Sequence, residues 1–283
     1  MAEKLRKLSG RTFLLGVGAQ KAGTTWLHDY FQKHPEVCIS PVKEMHFFGN
    51  RGVMDGWPVT AFRKKLRQRQ ENDRLKGREV RNYSALKERI RMTGEMWQYR
   101  RFFRKRILQE QVFGEITPAY SSLPVEELQL IKKTFETTKV IFLMRNPADR
   151  FWSQMRFSED YETLDEMEAN IDRVFGIPRY QERMNYARTI ANLRAVFDEE
   201  DLHFQFYENL FTPQAIGEIC AFLDIECRPA NFSKTLNVSV KMPLGQDTRD
   251  KIAGLLADQY RTVATEIARP LPKSWQNDME RLS

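Results

Sequence analysis

The feature that most restricts the fold is local. A short apolar run, residues 12–17 (T-F-L-L-G-V), leads into a glycine-framed turn, Gly18-Ala19-Gln20-Lys21-Ala22-Gly23. After the turn, residues 24–34 carry Trp26, Leu27, Tyr30 and Phe31 at helical spacing. Pro35 stops that helix, and Val37-Cys38-Ile39 reads as a second short strand. Strand, glycine turn, helix and strand make a βαβ unit, whose strands lie parallel because a crossover joins them. A chain built on this unit belongs to the α/β class.

The remaining periodicity extends the same plan. Residues 112–115 form a brief strand, and 124–135 an amphipathic helix with Pro124 in its first turn. Residues 139–144 (K-V-I-F-L-M) are the clearest central strand and run into Asn146-Pro147, a good N-cap and first-position pair. Helices are predicted at 147–158, 178–197, 212–223 and 246–268, with a strand at 203–206. Residues 51–111 differ. Segments 63–69 and 100–106 are strongly basic and show no strand pattern, which predicts an insertion of helices and loops near an acceptor site. Within it, Trp97, Tyr99, Phe102 and Phe103 alternate with arginines, a pattern that suits an amphipathic helix packed on the core and, as the alternative, stacking on sugar rings or bordering a lipid headgroup. The expectation is a single three-layer α/β domain over 1–283.

Charge narrows the partners. Lys+Arg 45 against Asp+Glu 38 leaves +7, which favours a nucleotide, an acidic sugar, a phospholipid surface or nucleic acid. The basic residues are dispersed and no nucleic-acid module is recognisable, so nucleic acid is not expected. Three cysteines, Cys38, Cys220 and Cys227, form no C-x-x-C pair and suit a reducing compartment. The first residues are charged, and no stretch approaches the roughly 20 apolar residues of a membrane span. The expected setting is cytoplasmic, with peripheral contact at a membrane surface allowed by the charge. The N-x-S sequons at Asn82, Asn231 and Asn237 then go unused.

The glycine turn has the outer frame of a phosphate loop, G-x-x-x-x-G, followed by a helix N-terminus that offers free N–H groups to an anion. Thr24 stands where a nucleoside-triphosphatase needs lysine, and the lysine is inside the loop, at Lys21. The strand at 139–144 ends in Arg145, where magnesium chemistry would want an acid. This points to a metal-free anion site held by Lys21, Thr24 and Thr25. Arg145, at the carboxyl end of a parallel strand, stands where ligands bind in open α/β sheets, and Ser153 follows eight residues later. Arginine's fork and a serine hydroxyl suit a second phosphate.

Together, G-A-Q-K-A-G-T-T-W-L at 18–27 and F-L-M-R-N-P-A-D-R-F-W-S at 142–153 resemble the 3′-phosphoadenosine 5′-phosphosulfate (PAPS)-dependent sulfotransferases. P-V-K-E-M-H-F-F at 41–48 and G-E-I-T-P-A-Y at 114–120 are similar to elements of the carbohydrate branch, the heparan-sulfate type, in a soluble, bacterial-like form. Y-E-N-L at 207–210 fits the later core. The resemblance covers residues 12–48 and 112–225. It implies a P-loop-like fold, a central parallel sheet flanked by helices, with PAPS across the carboxyl edge of the sheet and no metal. By position, Lys21, Ala22, Gly23, Thr24, Thr25 and Trp26 would bind the phosphosulfate end, and Arg145 and Ser153 the 3′-phosphate. Glu44 would be the general base. The branch often has E-K-T-P where this chain has Glu115-Ile116-Thr117-Pro118, so a basic contact is missing at Ile116.

The residues support that chemistry independently. Sulfuryl transfer needs a nucleophile that loses its proton as it attacks, and charge neutralisation on the leaving phosphate. Glu44 follows the second strand, where a loop acid can face the sulfur. It can also be a solvated acid paired with Lys43. His46 is the rival base, because imidazole titrates near neutrality. His28 reads as a packed or exposed helix residue. The acceptor stays open: a glycan, a lipid headgroup or a small molecule. Two other classes remain as alternatives, a P-loop kinase and a non-enzymatic anion- or nucleic-acid-binding protein.

Overall fold

The computed structural model describes residues 8–49, 58–76, 83–158, 161–233 and 242–282. Five strands, β1 (Thr12–Gly18), β2 (Val37–Ile39), β3 (Val112–Ile116), β4 (Thr137–Met144) and β5 (Leu202–Phe206), pair in parallel in the order β2-β3-β1-β4-β5. Every residue of β3 and β5 is buried, so both faces of the sheet are covered, as an all-parallel sheet requires. One close approach sets the β1–β3 spacing. Gly114 lies opposite Leu14, and a Cβ there would fall 1.9 Å from the Leu14 carbonyl oxygen. Only glycine permits that contact.

Six helices position the site: α1 (Thr24–Gln32), α2 (Val59–Leu75), α3 (Ser84–Ile90), α4 (Met96–Arg104), α5 (Val125–Thr134) and α6 (Pro147–Ser158). Helices α1, α5 and α6 form where periodicity predicts them, to within two residues. Two predicted long helices are each broken. Residues 178–197 contain Pro178–Met184 and Tyr186–Arg194, separated at Asn185, whose side chain accepts from the Arg188 N–H and starts a new helix. Residues 246–268 contain Gln246–Leu255 and Ala257–Glu266, which meet at Leu256. A helix at Lys273–Leu282, absent from the sequence reading, buries Trp275 completely.

Between β2 and β3 the described residues form α2, α3 and α4. Tyr99, Phe102 and Phe103 of α4 are fully buried, while Trp97 is 56% exposed. Tyr99 and Phe103 meet Phe13 of β1 edge-on at 6.2 and 6.3 Å between ring centroids, and Phe13 stacks on Phe135 at 4.0 Å. Such aromatic pairs add about 0.5–1.5 kcal/mol each beyond burial. The chain from α4 is thus wedged into the core beneath the central strand. Asn82 and Asn237 lie outside the described residues.

Candidate functional site

The carboxyl ends of β1 and β4 meet the loop that follows β1. That loop turns through positive φ at Lys21 (67°) and at Gly23 (83°), the residue before α1. Gly23 is required twice over. It supplies the left-handed conformation, and a Cβ there would lie 2.8 Å from Leu210 Cδ2. Thr24 and Thr25 open α1, where the first N–H groups have no acceptor within the helix. Ala22 is fully buried beneath the turn.

Arg145, directly after β4, closes the loop from the other side. Its Nη1 donates to the Lys21 carbonyl at 3.1 Å, and its guanidinium lies 4.6 Å over the Tyr207 ring. The next residue, Asn146, caps α6 by accepting from the Asp149 N–H at 3.2 Å, and its side-chain amide donates to Asp278 at 2.7 Å. Ser153 is buried on the second turn of α6. Burial first, then the charges of Arg145 and Arg156, holds the Lys21 ammonium below the ordinary lysine value. Arg150 is depressed the same way, by burial and then by Arg145 and Arg183, with a favourable opposing effect from Tyr186. Its Nη1 is buried with no hydrogen-bond partner among the described residues. Arg183 donates to Gln20 in the loop at 3.1 Å. These cations repel one another, and an anion placed among them would relieve that repulsion and supply acceptors for orphaned donors. The residues therefore fit a phosphorylated, sulfated nucleotide.

Trp26 takes a different place from the open loop. Its ring is buried between Tyr30 and Phe232, at 6.1 and 5.8 Å, and its Nε1 donates to the Asn231 carbonyl at 3.1 Å.

The loop after β2 carries the other half of the site. Glu44 Oε2 accepts from His46 Nε2 at 3.1 Å, and Glu44 Oε1 lies 4.0 Å from Lys43 Nζ. Burial works against ionisation of Glu44, but the His46 hydrogen bond and the charges of Lys43, His46 and Arg183 outweigh it. The carboxyl is held below its ordinary value and is ionised at neutral pH. Glu44 and His46 line a cleft of about 520 Å³ together with Thr25 at the start of α1, Phe62 and Lys65. The structure thus brings the predicted base, its histidine neighbour and the first turn of the helix after the loop to one opening.

What holds that loop in place was partly hidden in the sequence. Glu115, fully buried at the end of β3, accepts three hydroxyl bonds: Tyr99 at 2.6 Å, Thr117 at 2.6 Å and Tyr120 at 3.0 Å. Thr117 Oγ1 in turn accepts from the Met45 N–H at 3.0 Å, and the Tyr120 hydroxyl from the Phe47 N–H at 2.8 Å. Arg89 of α3 grips the same turn from below, donating to the carbonyls of Met45 at 2.6 Å and His46 at 2.7 Å. His28 of α1 bonds the Ser40 carbonyl at 2.9 Å, and burial, followed by the Lys43 charge, pushes its imidazole down to about 4. It is a neutral structural histidine. Ile116 is buried against Gly16, whose added Cβ would meet it at 2.7 Å. A lysine at this place would bury its charge.

The family model described as "Sulfotransferase family" matches residues 14–229. The chain belongs to the sulfotransferase family. A sulfotransferase from Alicyclobacillus acidocaldarius has the same fold, with a TM-score of 0.62 and 23% identity, covering 94% of this chain and 99% of that one. The sulfotransferase domain of the Synechococcus PCC 7002 olefin synthase aligns with a TM-score of 0.50 at 18% identity, over 96% of this chain and 92% of the other. A membrane-associated sulfotransferase, kil1 of Dictyostelium discoideum, is 27% identical over 143 residues, which are 50% of this chain and 22% of that relative. The family model carries the membership, and the solved structures carry the fold. Among the described residues, no helix is long and apolar enough to cross a membrane.

Three candidate contributors to the site escaped the sequence reading: Arg150, Arg183 and the Glu115 network. Arg150 sits within the motif that includes Arg145 and Ser153, so its place was signalled. Arg183 had no such signal, because it reaches the loop from a distant helix.

Proposed function

We propose that this protein moves a sulfuryl group from PAPS to a hydroxyl or amine of an acceptor, by in-line attack with Glu44 as general base. The observation that supports it best is the shared cleft, in which Thr25, at the start of α1 after a carboxylate-free loop, lines the same opening as an ionised Glu44. When bound, PAPS supplies the sulfuryl group and a nucleotide phosphate as leaving group. Lys21, with the N–H groups at the start of α1, neutralises charge at the phosphosulfate end, and Thr24 and Thr25 add hydroxyl bonds. Arg145 and Ser153 hold the 3′-phosphate, with Arg150 behind them. Glu44 takes the proton of the attacking group while His46 orients its carboxylate. The Glu115 network keeps the turn carrying both residues in register. The acceptor class, a glycan, lipid headgroup or small molecule, is part of this proposal, as is peripheral contact with a membrane.

The test is ligand-linked stability. The desulfated product, 3′-phosphoadenosine 5′-phosphate (PAP), should raise the melting temperature. At 100 times its dissociation constant a ligand that binds only the native state adds about 2.7 kcal/mol. ATP with Mg²⁺ should stabilise far less, and equal stabilisation would bring phosphoryl transfer forward. Transfer of radiolabelled sulfate from PAPS into a lipid and glycan extract then tests turnover.

A further inference from the structure

The cleft that holds Glu44 does not end there. Ala61, Lys65 and Arg69 are spaced four residues apart on α2, one stripe of a helix, at about 6 Å per step along the axis. All three line the Glu44 cleft, as does Lys43. Lys43, Lys65 and Arg69 also line a second cleft of about 730 Å³, which runs past Pro41 and Val42 to the edge strand β2. The two openings therefore share one wall of three cations.

Those cations are poorly matched by the protein. Lys43 Nζ is buried with no hydrogen-bond partner among the described residues, and its carboxylate neighbour Glu44 is 4.0 Å away. Lys65 donates to the Lys43 carbonyl at 2.8 Å, and Arg69 lies over the Tyr83 ring at 6.0 Å. Neither forms an ion pair among the described residues. The other cations of the second cleft are already matched: Lys33 with Asp29 at 2.7 Å and Arg106 with Glu88 at 3.0 Å. Burial, then the charge of a neighbour on the same wall, depresses both lysines, with Glu44 acting in the opposite sense. Three close cations beside the proposed base, one of them with an orphaned buried ammonium, are costly unless an anion visits them.

We infer that Lys43, Lys65 and Arg69 form an acceptor subsite for a negatively charged group, so that the molecule sulfated at Glu44 carries a carboxylate, sulfate or phosphate next to the reacting hydroxyl or amine. This rests on the sulfotransferase reading above and adds the charge class of its substrate. The two clefts together leave room for an acceptor that extends from the reacting position toward β2.

The experiment is calorimetric titration of the PAP-saturated protein with two anionic probes and their neutral counterparts: a heparin-derived tetrasaccharide against maltotetraose, and glycerol 3-phosphate against glycerol. At least one anionic probe should bind at least tenfold tighter than its counterpart, the first marking an acidic glycan and the second a phosphate headgroup. Losing two charge-assisted contacts should weaken that probe roughly 10- to 100-fold in Lys65→Gln/Arg69→Gln, with PAP affinity unchanged. Lys65→Gln alone should show part of the loss. Anionic probes that bind no better than neutral ones, or as tightly to the double variant as to the wild type, overturn the subsite. Failure of PAP itself to bind overturns instead the sulfotransferase reading.

Discussion

The two halves of the site are built on opposite plans. The anion loop and Arg145 form a cradle of repelling cations whose backbone is set locally, by a glycine turn and a helix start. The turn that carries Glu44 and His46 has little local structure of its own. It is held by hydroxyls that converge on a buried Glu115, and by Arg89 reaching in from α3. The difference separates two kinds of function. A charge that must be neutralised needs donors at a fixed place, which a loop and a helix terminus provide. A base must be both ionised and aimed, which takes a network of supports from several elements.

Substitutions can break this division. The largest effect is expected from Lys21→Ala, which should lower turnover about a thousandfold, comparable to losing a strong oxyanion donor, while thermal unfolding stays near wild type. Unchanged turnover at saturating PAPS would remove Lys21 from the mechanism. Glu44→Gln keeps shape and removes basicity, so turnover should fall about 10²–10⁴-fold with PAP affinity barely altered. His46→Ala should cost less and act partly through KM. The reverse ranking would make imidazole the base, and a glutamine variant that also lost PAP would make Glu44 structural.

The pH profile sharpens the same point. Because the Glu44 carboxyl is held below its ordinary value, it is ionised throughout the neutral range and is protonated only as pH falls through that lowered value. The acid limb of kcat/KM should therefore lie below about pH 4.3, the ordinary glutamate value. A limb near pH 6.5 would point to an imidazole base.

Glu115→Gln probes the supporting half. The amide cannot accept all three hydroxyl bonds and brings donors without acceptors, so it should cost about 1–3 kcal/mol in denaturant unfolding. Turnover should drop less than in Glu44→Gln. The smallest effects belong to the distal phosphate. Arg145→Ala should weaken PAP stabilisation, and Ser153→Ala should weaken it less.

Much of this was legible in the residues alone. Strand, glycine turn, helix and strand, with 139–144 ending in Arg145, are patterns of nearest neighbours, and apolar runs report burial directly. Lys21, Thr24, Thr25, Arg145, Glu44 and His46 could be named as candidates because each sits in a short segment with a chemical logic of its own. Helix ends inside 178–197 and 246–268 could not, since a capping asparagine at 185 and a non-helical turn of the backbone at Leu256 interrupt a continuous periodic pattern. Nor could the meeting of Glu44 with Thr25, of Tyr99 with Glu115, or of Arg183 with Gln20, which join positions 19, 16 and 163 residues apart. Sequence spacing encodes what a segment does within its own few turns. Which distant hydroxyl satisfies a buried carboxylate, and which cations share one wall, is settled only when the sheet closes and each buried polar group must find a partner.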